Sequence, residues 1–173
     1  MRARIVPVSR RLEVGAATPL DLFRRLRGRG RECFLLESVE GSPAVARYSF
    51  LGVDPNARVT ALGKDVSIER DGELRRSREP LLETVAALTR RDRFERDPDL
   101  PPFCGGAVGY LAYDAVRQLE EIPDRHPRDT DAPDALFLRF DAVVGFDHRR
   151  NVAYLLTTAE EHDRSAAKGR LDC

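Results

Sequence analysis

An α+β fold, built on a largely antiparallel β-sheet with a few short flanking helices, is what this amino-acid sequence predicts. Three observations carry that expectation. Short apolar runs recur along the chain, and several alternate apolar with polar residues, as half-buried strands do. The pair Asp71-Gly72 sits between two such runs, and both residue types tolerate the positive φ of a tight hairpin turn. Helical stretches are few and brief, and the first two open on proline, which suits a first turn.

The elements follow in order. Thr18-Pro19 opens a helix, because threonine caps and proline fits the first helical position, where no N–H is needed. Leu22, Phe23 and Leu26 share a face, and Gly28 and Gly30 end it. Residues 33–37 read as an apolar strand, and residues 48–51 as a second one after a loop. Residues 57–62 alternate small apolar and polar side chains; residues 66–69 and 74–76 flank Asp71-Gly72 and complete an antiparallel meander. A second helix begins at Glu79-Pro80, with Leu81, Leu82, Val85 and Leu88 on one stripe. Residues 90–102 form a charged, proline-bearing surface loop. The glycine-rich residues 105–110 read as a strand leading through Tyr113-Asp114 into a short helix that ends near Glu121. A Pro- and Asp-rich loop covers 122–134. Two long apolar strands, 135–146 and 152–157, are joined by Asp147-His148-Arg149-Arg150-Asn151. Thr158 and Glu161 have capping-box spacing, so another helix starts there. The sequence stops soon afterwards at Cys173, which reads as the amino-terminal piece of a longer protein; a frayed terminal helix is the alternative.

Composition bounds the function. The 173 residues suffice for one domain with a real core, or for a large piece of a bigger protein. Lys plus Arg (29) balances Asp plus Glu (29), which removes any electrostatic argument for nucleic acid or an anionic membrane as partner. No apolar run has the length of a membrane span, and the amino terminus lacks a secretory core. Cys33, Cys104 and Cys173 are odd in number and scattered, so a reducing cytoplasm is the simplest home. His126, His148 and His162 form no metal constellation.

The chemistry concentrates at Leu35-Leu36-Glu37-Ser38 and Arg47-Tyr48-Ser49-Phe50. A carboxylate beside a hydroxyl at a strand end can hold an ammonium group and a second polar atom. Arg47 to Phe50 adds a cation, a hydroxyl and aromatic surface, a set that suits an amino acid. The plainer reading is that Glu37 and Ser38 mark where a buried strand reaches water. Strand alternation puts Tyr48 and Phe50 on one face and Ser49 on the other, so they line one cavity only if the strand end twists or bulges. Gly105-Gly106-x-x-Gly109 has neither a dinucleotide fingerprint nor the Lys-Ser/Thr of a P-loop. Glycines in a strand mark a bulge or a close backbone approach, here one that brings Tyr110, Tyr113 and Asp114 against a neighbour as a packed tyrosine pair and a capping carboxylate. Nothing in the residues offers a catalytic centre: there is no spaced carboxylate pair, nucleophile elbow or Cys/His pair.

Four segments occur in order: Leu35-Leu36-Glu37-Ser38; Arg47-Tyr48-Ser49-Phe50-Leu51-Gly52; Gly105-Gly106-Ala107-Val108-Gly109-Tyr110-Leu111-Ala112-Tyr113-Asp114; and Pro133-Asp134-Ala135-Leu136 through Phe146-Asp147-His148. Together they resemble the amino-terminal region of anthranilate synthase component I, from about Pro7 to Thr158. A close relative, aminodeoxychorismate synthase component I of folate synthesis, shares the fold and some of these motifs. The resemblance implies that the sheet belongs to a larger two-domain α/β sandwich. It implies an anthranilate synthase amino-terminal domain over 1–157, with 158–173 starting a helix or linker toward an absent catalytic domain. It also implies a tryptophan feedback site carried by Leu36, Glu37 and Ser38, with Arg47, Tyr48 and Ser49 beside it. The parent enzyme, a lyase, converts chorismate to anthranilate with ammonia from a glutamine amidotransferase subunit, component II. By the same resemblance, magnesium and chorismate are bound by the absent half, so this piece alone is inactive and binds tryptophan weakly or not at all. A stand-alone amino-acid-binding module is the alternative from a different class.

Overall fold

A computed structural model of the chain describes residues 4–27, 31–37, 47–89, 93–118, 120–123 and 130–171. Among them, ten strands form two five-stranded sheets, and every pairing whose register is resolved between named strands is antiparallel. The two sheets lie in two compact units.

The first unit holds β1 (Ile5–Leu12), β2 (Cys33–Glu37), β3 (Tyr48–Val53), β9 (Ala142–Asp147) and β10 (Val152–Glu160), in the order β1-β10-β9-β3-β2. Register sorts its side chains. Leu36 lies opposite Phe50 and Phe34 opposite Gly52, so these share a face with Tyr48. Phe34, Phe50, Phe103 and Phe140 build an aromatic cluster there, with Phe34 and Phe140 edge-on at 4.8 Å and Phe50 and Phe103 at 5.6 Å. Gly52 leaves room for it: a Cβ at that position would run into the Phe34 ring. On the opposite face, Val8, Leu155 and Ala159 pack against Ala167 and Leu171 of helix α3 (Arg164–Leu171). Helix α1 (Pro19–Arg27) packs on β2 and β3. Its start is the expected cap: Thr18 Oγ1 accepts the Asp21 N–H at 3.1 Å, while Asp21 Oδ2 accepts the Thr18 N–H at 3.0 Å. The Thr18 hydroxyl, which also donates to Asp21 Oδ2 at 2.7 Å, and the Thr18 N–H hold the Asp21 carboxyl below its ordinary pKa.

The second unit contains β4 (Ala57–Leu62), β5 (Asp65–Arg70), β6 (Glu73–Arg76), β7 (Gly106–Leu111) and β8 (Ala135–Phe140), ordered β6-β5-β4-β8-β7. Asp71 and Gly72 take φ of 54° and 79°, the left-handed pair that the hairpin signal called for. Helix α2 (Leu81–Thr89) lays Leu81 on Val59, Ala61, Val66 and Ala135, with Val85 and Leu88 beside them. Each fully buried aliphatic of this kind contributes about 1.5–3 kcal/mol. Gly109 is a close approach, since a Cβ there would strike the Leu136 carbonyl oxygen on β8.

Three local expectations change. The apolar run 135–146 is two strands in two sheets, β8 and β9, parted at Asp141, whose carbonyl accepts the Thr157 hydroxyl at 2.8 Å. The Thr158–Glu161 capping box does not form, because β10 continues to Glu160 in register with β1 and the helix begins at Arg164. Strand pairing across eight residues outweighs one cap. The tyrosine pair does not pack: Tyr113 is 93% exposed, and Asp114 instead accepts the Arg117 Nε–H at 3.2 Å.

Candidate functional site

One corner of the first sheet gathers the end of β2, the start of β3, the end of β9 and the turn that follows β9. The turn is organised by Asp147. Its Oδ1 accepts the backbone N–H groups of Arg149 at 3.1 Å and Arg150 at 3.2 Å, and Asn151 closes the turn with φ of 50°. The same carboxylate, 2% exposed, faces β3 across the sheet, where Tyr48 is its register partner. Arg47, just before β3, therefore meets it as a two-point pair, Nε to Oδ1 at 3.1 Å and Nη2 to Oδ2 at 2.6 Å. Arg150 continues the chain of charges by donating to the Asp99 carbonyl at 2.7 Å and to Asp99 Oδ1 at 3.0 Å.

The electrostatics follow from this geometry. Burial alone would push the Asp147 carboxyl up, but the hydrogen bonds from Arg47 and from the Arg150 and Arg149 backbone, together with the Arg47 charge, hold it below the ordinary 3.8. The hydrogen bond to Asp147 raises the Arg47 guanidinium above its ordinary value despite desolvation. Arg47 also lies over the Tyr48 ring, with Cζ 4.8 Å from the centroid. Its cation is thus already committed to a carboxylate and an aromatic face.

A second polar pair lies on the other face. Ser49, 2% exposed, shares a hydrogen bond of 2.7 Å with His148 Nε2, and the His148 ring stacks on Phe146 at 6.4 Å. Glu37 stands directly opposite Ser49 in the β2–β3 register and is exposed. Its carboxylate makes no hydrogen bond or ion pair among the described residues.

The expected residues therefore divide. Leu36, 49% exposed, and Tyr48 lie on one face with Phe50, the Tyr48 and Phe50 rings 6.0 Å apart. Glu37 and Ser49 lie on the other. Arg47 turns to Asp147, and Ser38 falls outside the described residues. The alternation expected for Tyr48, Ser49 and Phe50 holds. Asp147 and His148 were not singled out as site residues. The signal available for Asp147 was an Asp two residues before an Arg-Arg pair in a hairpin loop, a turn-forming position.

Among the described residues, the corner offers one carboxylate without an ion-pair partner, a hydroxyl and an imidazole, with aromatic surface across the strand. That set binds cations and hydrogen-bonding groups. It makes a poor nucleophile, because the Ser49 hydroxyl is buried. Among the described residues, no group of three or more His, Cys, Asp or Glu is arranged to hold a metal ion, and no helix is long and apolar enough to cross a membrane.

Comparison with known proteins gives one family and a consistent set of relatives. A family described as chorismate binding enzyme matches residues 31–171. Anthranilate synthase component 1 of Thermus thermophilus is 38% identical over 167 residues, covering 95% of this chain and 35% of that protein. The Mycobacterium tuberculosis protein of the same name is 35% identical over 164 residues, covering 90% and 31%. The crystal structure of anthranilate synthase component I from Streptococcus pneumoniae superposes with a TM-score of 0.55 at 21% identity, over 94% of this chain and 35% of that one, a likeness of fold. The chain spans about a third of the length of these relatives.

Proposed function

The chain belongs to the chorismate binding enzyme family, and from that premise we propose that it is the amino-terminal, tryptophan-sensing part of an anthranilate synthase component I. The observation that carries the sensing role is Glu37, an exposed carboxylate opposite Ser49 in a corner whose guanidinium is already neutralised by Asp147. A carboxylate with no ion-pair partner among the described residues favours a cation, and an amino acid brings one as its ammonium group. Leu36, Tyr48 and Phe50 lie on the opposite face from Glu37, so the ligand would straddle the end of the edge strand β2 to bring its indole against them, and Ser38, next to Glu37 in sequence, supplies a further hydroxyl.

The commitment of Arg47 has a consequence. The ligand's carboxylate needs a donor other than this guanidinium, and we assign that donor to the two thirds of the relatives that this chain does not span. On this reading the chain alone binds tryptophan weakly or not at all. In the whole protein, chorismate and ammonia from the glutamine amidotransferase component II give anthranilate and pyruvate, with magnesium held by the other part.

The test uses a single-chain chimera in which this chain replaces the matched third of the Thermus thermophilus relative. Anthranilate formation by the chimera is expected to be inhibited by L-tryptophan. Glu37→Gln and Ser38→Ala should each raise the half-inhibiting concentration by about tenfold or more, a loss of about 1.4 kcal/mol of binding. Unaltered inhibition in both variants would remove Glu37 and Ser38 from the site. Formation of aminodeoxychorismate in place of anthranilate would favour the folate-pathway relative; the relatives reported above, all named anthranilate synthase, favour the first branch. Tight tryptophan binding by the 173-residue chain alone would favour a stand-alone binding module.

A further inference from the structure

Strand β3 runs between β2 and β9, and its Ser49 is in register with Glu37 on one side and Phe146 on the other. The His148 ring stacks on Phe146 with an interplanar angle of 15° and meets Ser49 Oγ through Nε2 at 2.7 Å. Glu37 and His148 therefore stand on one face of the sheet, flanking the same hydroxyl from opposite sides. Both are exposed, whereas Ser49 is 2% exposed. The imidazole, rather than water, thus decides which way the Ser49 proton lies.

A neutral imidazole accepts at one nitrogen and donates at the other. Among the described residues Glu37 accepts no hydrogen bond, so the Ser49 proton goes to Nε2 and the negative end of the hydroxyl is left toward β2. An ammonium group placed against Glu37 then meets a carboxylate beside the oxygen end of a hydroxyl dipole. A protonated imidazole has donors only. Its Nε2–H donates to Ser49, the hydroxyl proton turns away from the ring, and a positive charge stands near the ammonium. Both changes act against the ligand.

The other charges nearby are already engaged or lie elsewhere. Arg47, whose carbonyl accepts the His148 N–H at 2.9 Å, sends its guanidinium to Asp147. Arg150 is tied to Asp99, and Arg149 is exposed in the turn. Beyond β9, β10 brings Ala153 opposite Phe146 and keeps its one charged residue, Glu160, at its far end. Helix α1, packed on β2 and β3, carries Asp21, bonded to Thr18, and the exposed Arg24, Arg25 and Arg27. Histidine is the side chain whose charge ordinarily changes between about pH 5 and 8, a range in which a free amino acid keeps its ammonium proton.

We propose that His148 is a positioning residue of the amino-acid site: while neutral it sets Ser49 as an acceptor, and once protonated it opposes the ligand's ammonium, so feedback binding weakens as pH falls. This role rests on the tryptophan-sensing reading and adds its regulation. Two unit charges roughly 10 Å apart, across two strand spacings and partly in water, change affinity by about threefold to fivefold.

The chimera described above provides the test. Its half-inhibiting concentration of L-tryptophan should rise about fivefold from about pH 8 to about pH 6. His148→Gln, which can still reach Ser49 and never charges, should be inhibited within about twofold of the parent at the higher pH and stay flat down to the lower. Parallel pH profiles in the two proteins would overturn the proposal. Inhibition that tightens at low pH in the parent alone would also overturn it, by making the charged ring a donor to the ligand's carboxylate. Glu37→Gln at the higher pH separates the two readings. Unaltered inhibition there, or none in the parent at any pH, overturns the tryptophan site and the role of His148 with it; inhibition that depends on Glu37 beside parallel profiles overturns the role of His148 alone. A second measurement needs only this chain. Ring ¹⁵N shifts, assigned by comparison with His148→Gln, should show the neutral His148 ring protonated at Nδ1 and bare at Nε2. A proton on Nε2 of the neutral ring would overturn the proposal.

Discussion

Replacing Asp147 with asparagine removes the charge at the centre of the candidate corner and leaves its shape nearly intact. Asparagine retains one oxygen for the Arg149 and Arg150 N–H groups, so the turn after β9 keeps its two internal bonds. What is lost is Oδ2, which Arg47 Nη2 engages at 2.6 Å, together with the charge; the Arg47 Nε bond at 3.1 Å goes to the retained Oδ1. Breaking a buried ion pair by removing one partner costs about 3–5 kcal/mol. The preserved turn bonds bring the Asp147→Asn cost to the lower end, about 3 kcal/mol. For a chain of this length that corresponds to a fall in Tm of about 6–12 °C.

Calorimetry or urea unfolding of the parent chain and Asp147→Asn at pH 7 measures the difference, and repeating it at lower pH tests the cause. Because the folded Asp147 carboxyl lies below its ordinary 3.8, the unfolded chain takes up this proton first as pH falls. The stabilisation is therefore complete above the unfolded value and is lost as pH drops through the folded one. The gap between parent and variant should be full at pH 7 and should close below about pH 4. A gap under about 1 kcal/mol at pH 7 would put the pair in the class of surface ion pairs and refute the argument from burial. A gap that stays constant down to the acid transition would refute the electrostatic cause even if the size were right.

Gly109→Ala should destabilise the second unit by about 1–3 kcal/mol, because the new methyl meets the backbone of β8 and nothing there can swing aside. Gly169→Ala, in α3 with open space around it, should stabilise by about 0.5–1 kcal/mol; thermal unfolding of both variants checks the pair of opposite signs. Thr18→Ala should cost about 1 kcal/mol through the lost cap of α1. In the same variant the Asp21 carboxyl should titrate nearer its ordinary value, which carboxyl NMR shifts followed against pH would report.

What the sequence made legible was local. Asp71-Gly72 specified its turn because two adjacent residues that tolerate positive φ leave the chain little choice. Thr18-Pro19 specified a helix start for a similarly short-range reason. The run 135–146 was not legible in this way. It contains no proline, its one glycine is Gly145, and hydrophobicity alone does not reveal that a chain leaves one sheet for another at Asp141. β1 does not read as a strand because Pro7, Arg10 and Arg11 interrupt its apolar pattern, and its partner β10 lies at the far end of the sequence. The candidate corner shows the same division. Residues 36–38 and 47–50 stand out as neighbours, whereas Arg47 meets Asp147 across 100 positions and Ser49 meets His148 across 99. No spacing rule reaches that far.

The Arg47–Asp147 pair also constrains how a feedback ligand would act. On the proposed reading, a feedback tryptophan would bind through its ammonium and indole on this chain and through its carboxylate on the other part, and would fit only when the two are together. A ligand that requires an assembled state stabilises that state by RT ln(1 + [L]/Kd), about 2.7 kcal/mol at 100 times Kd. Tryptophan at that level should therefore raise the Tm of the chimera, nearly three times the length of this chain, by about 2–4 °C, leave the chain alone unmoved, and lose most of its effect in the Glu37→Gln chimera. A shift as large in the chain alone would mean that the carboxylate donor lies within these 173 residues. Arg47 would then have to exchange Asp147 for the ligand, and Asp147→Asn, which frees the guanidinium, should tighten binding rather than leave it unchanged.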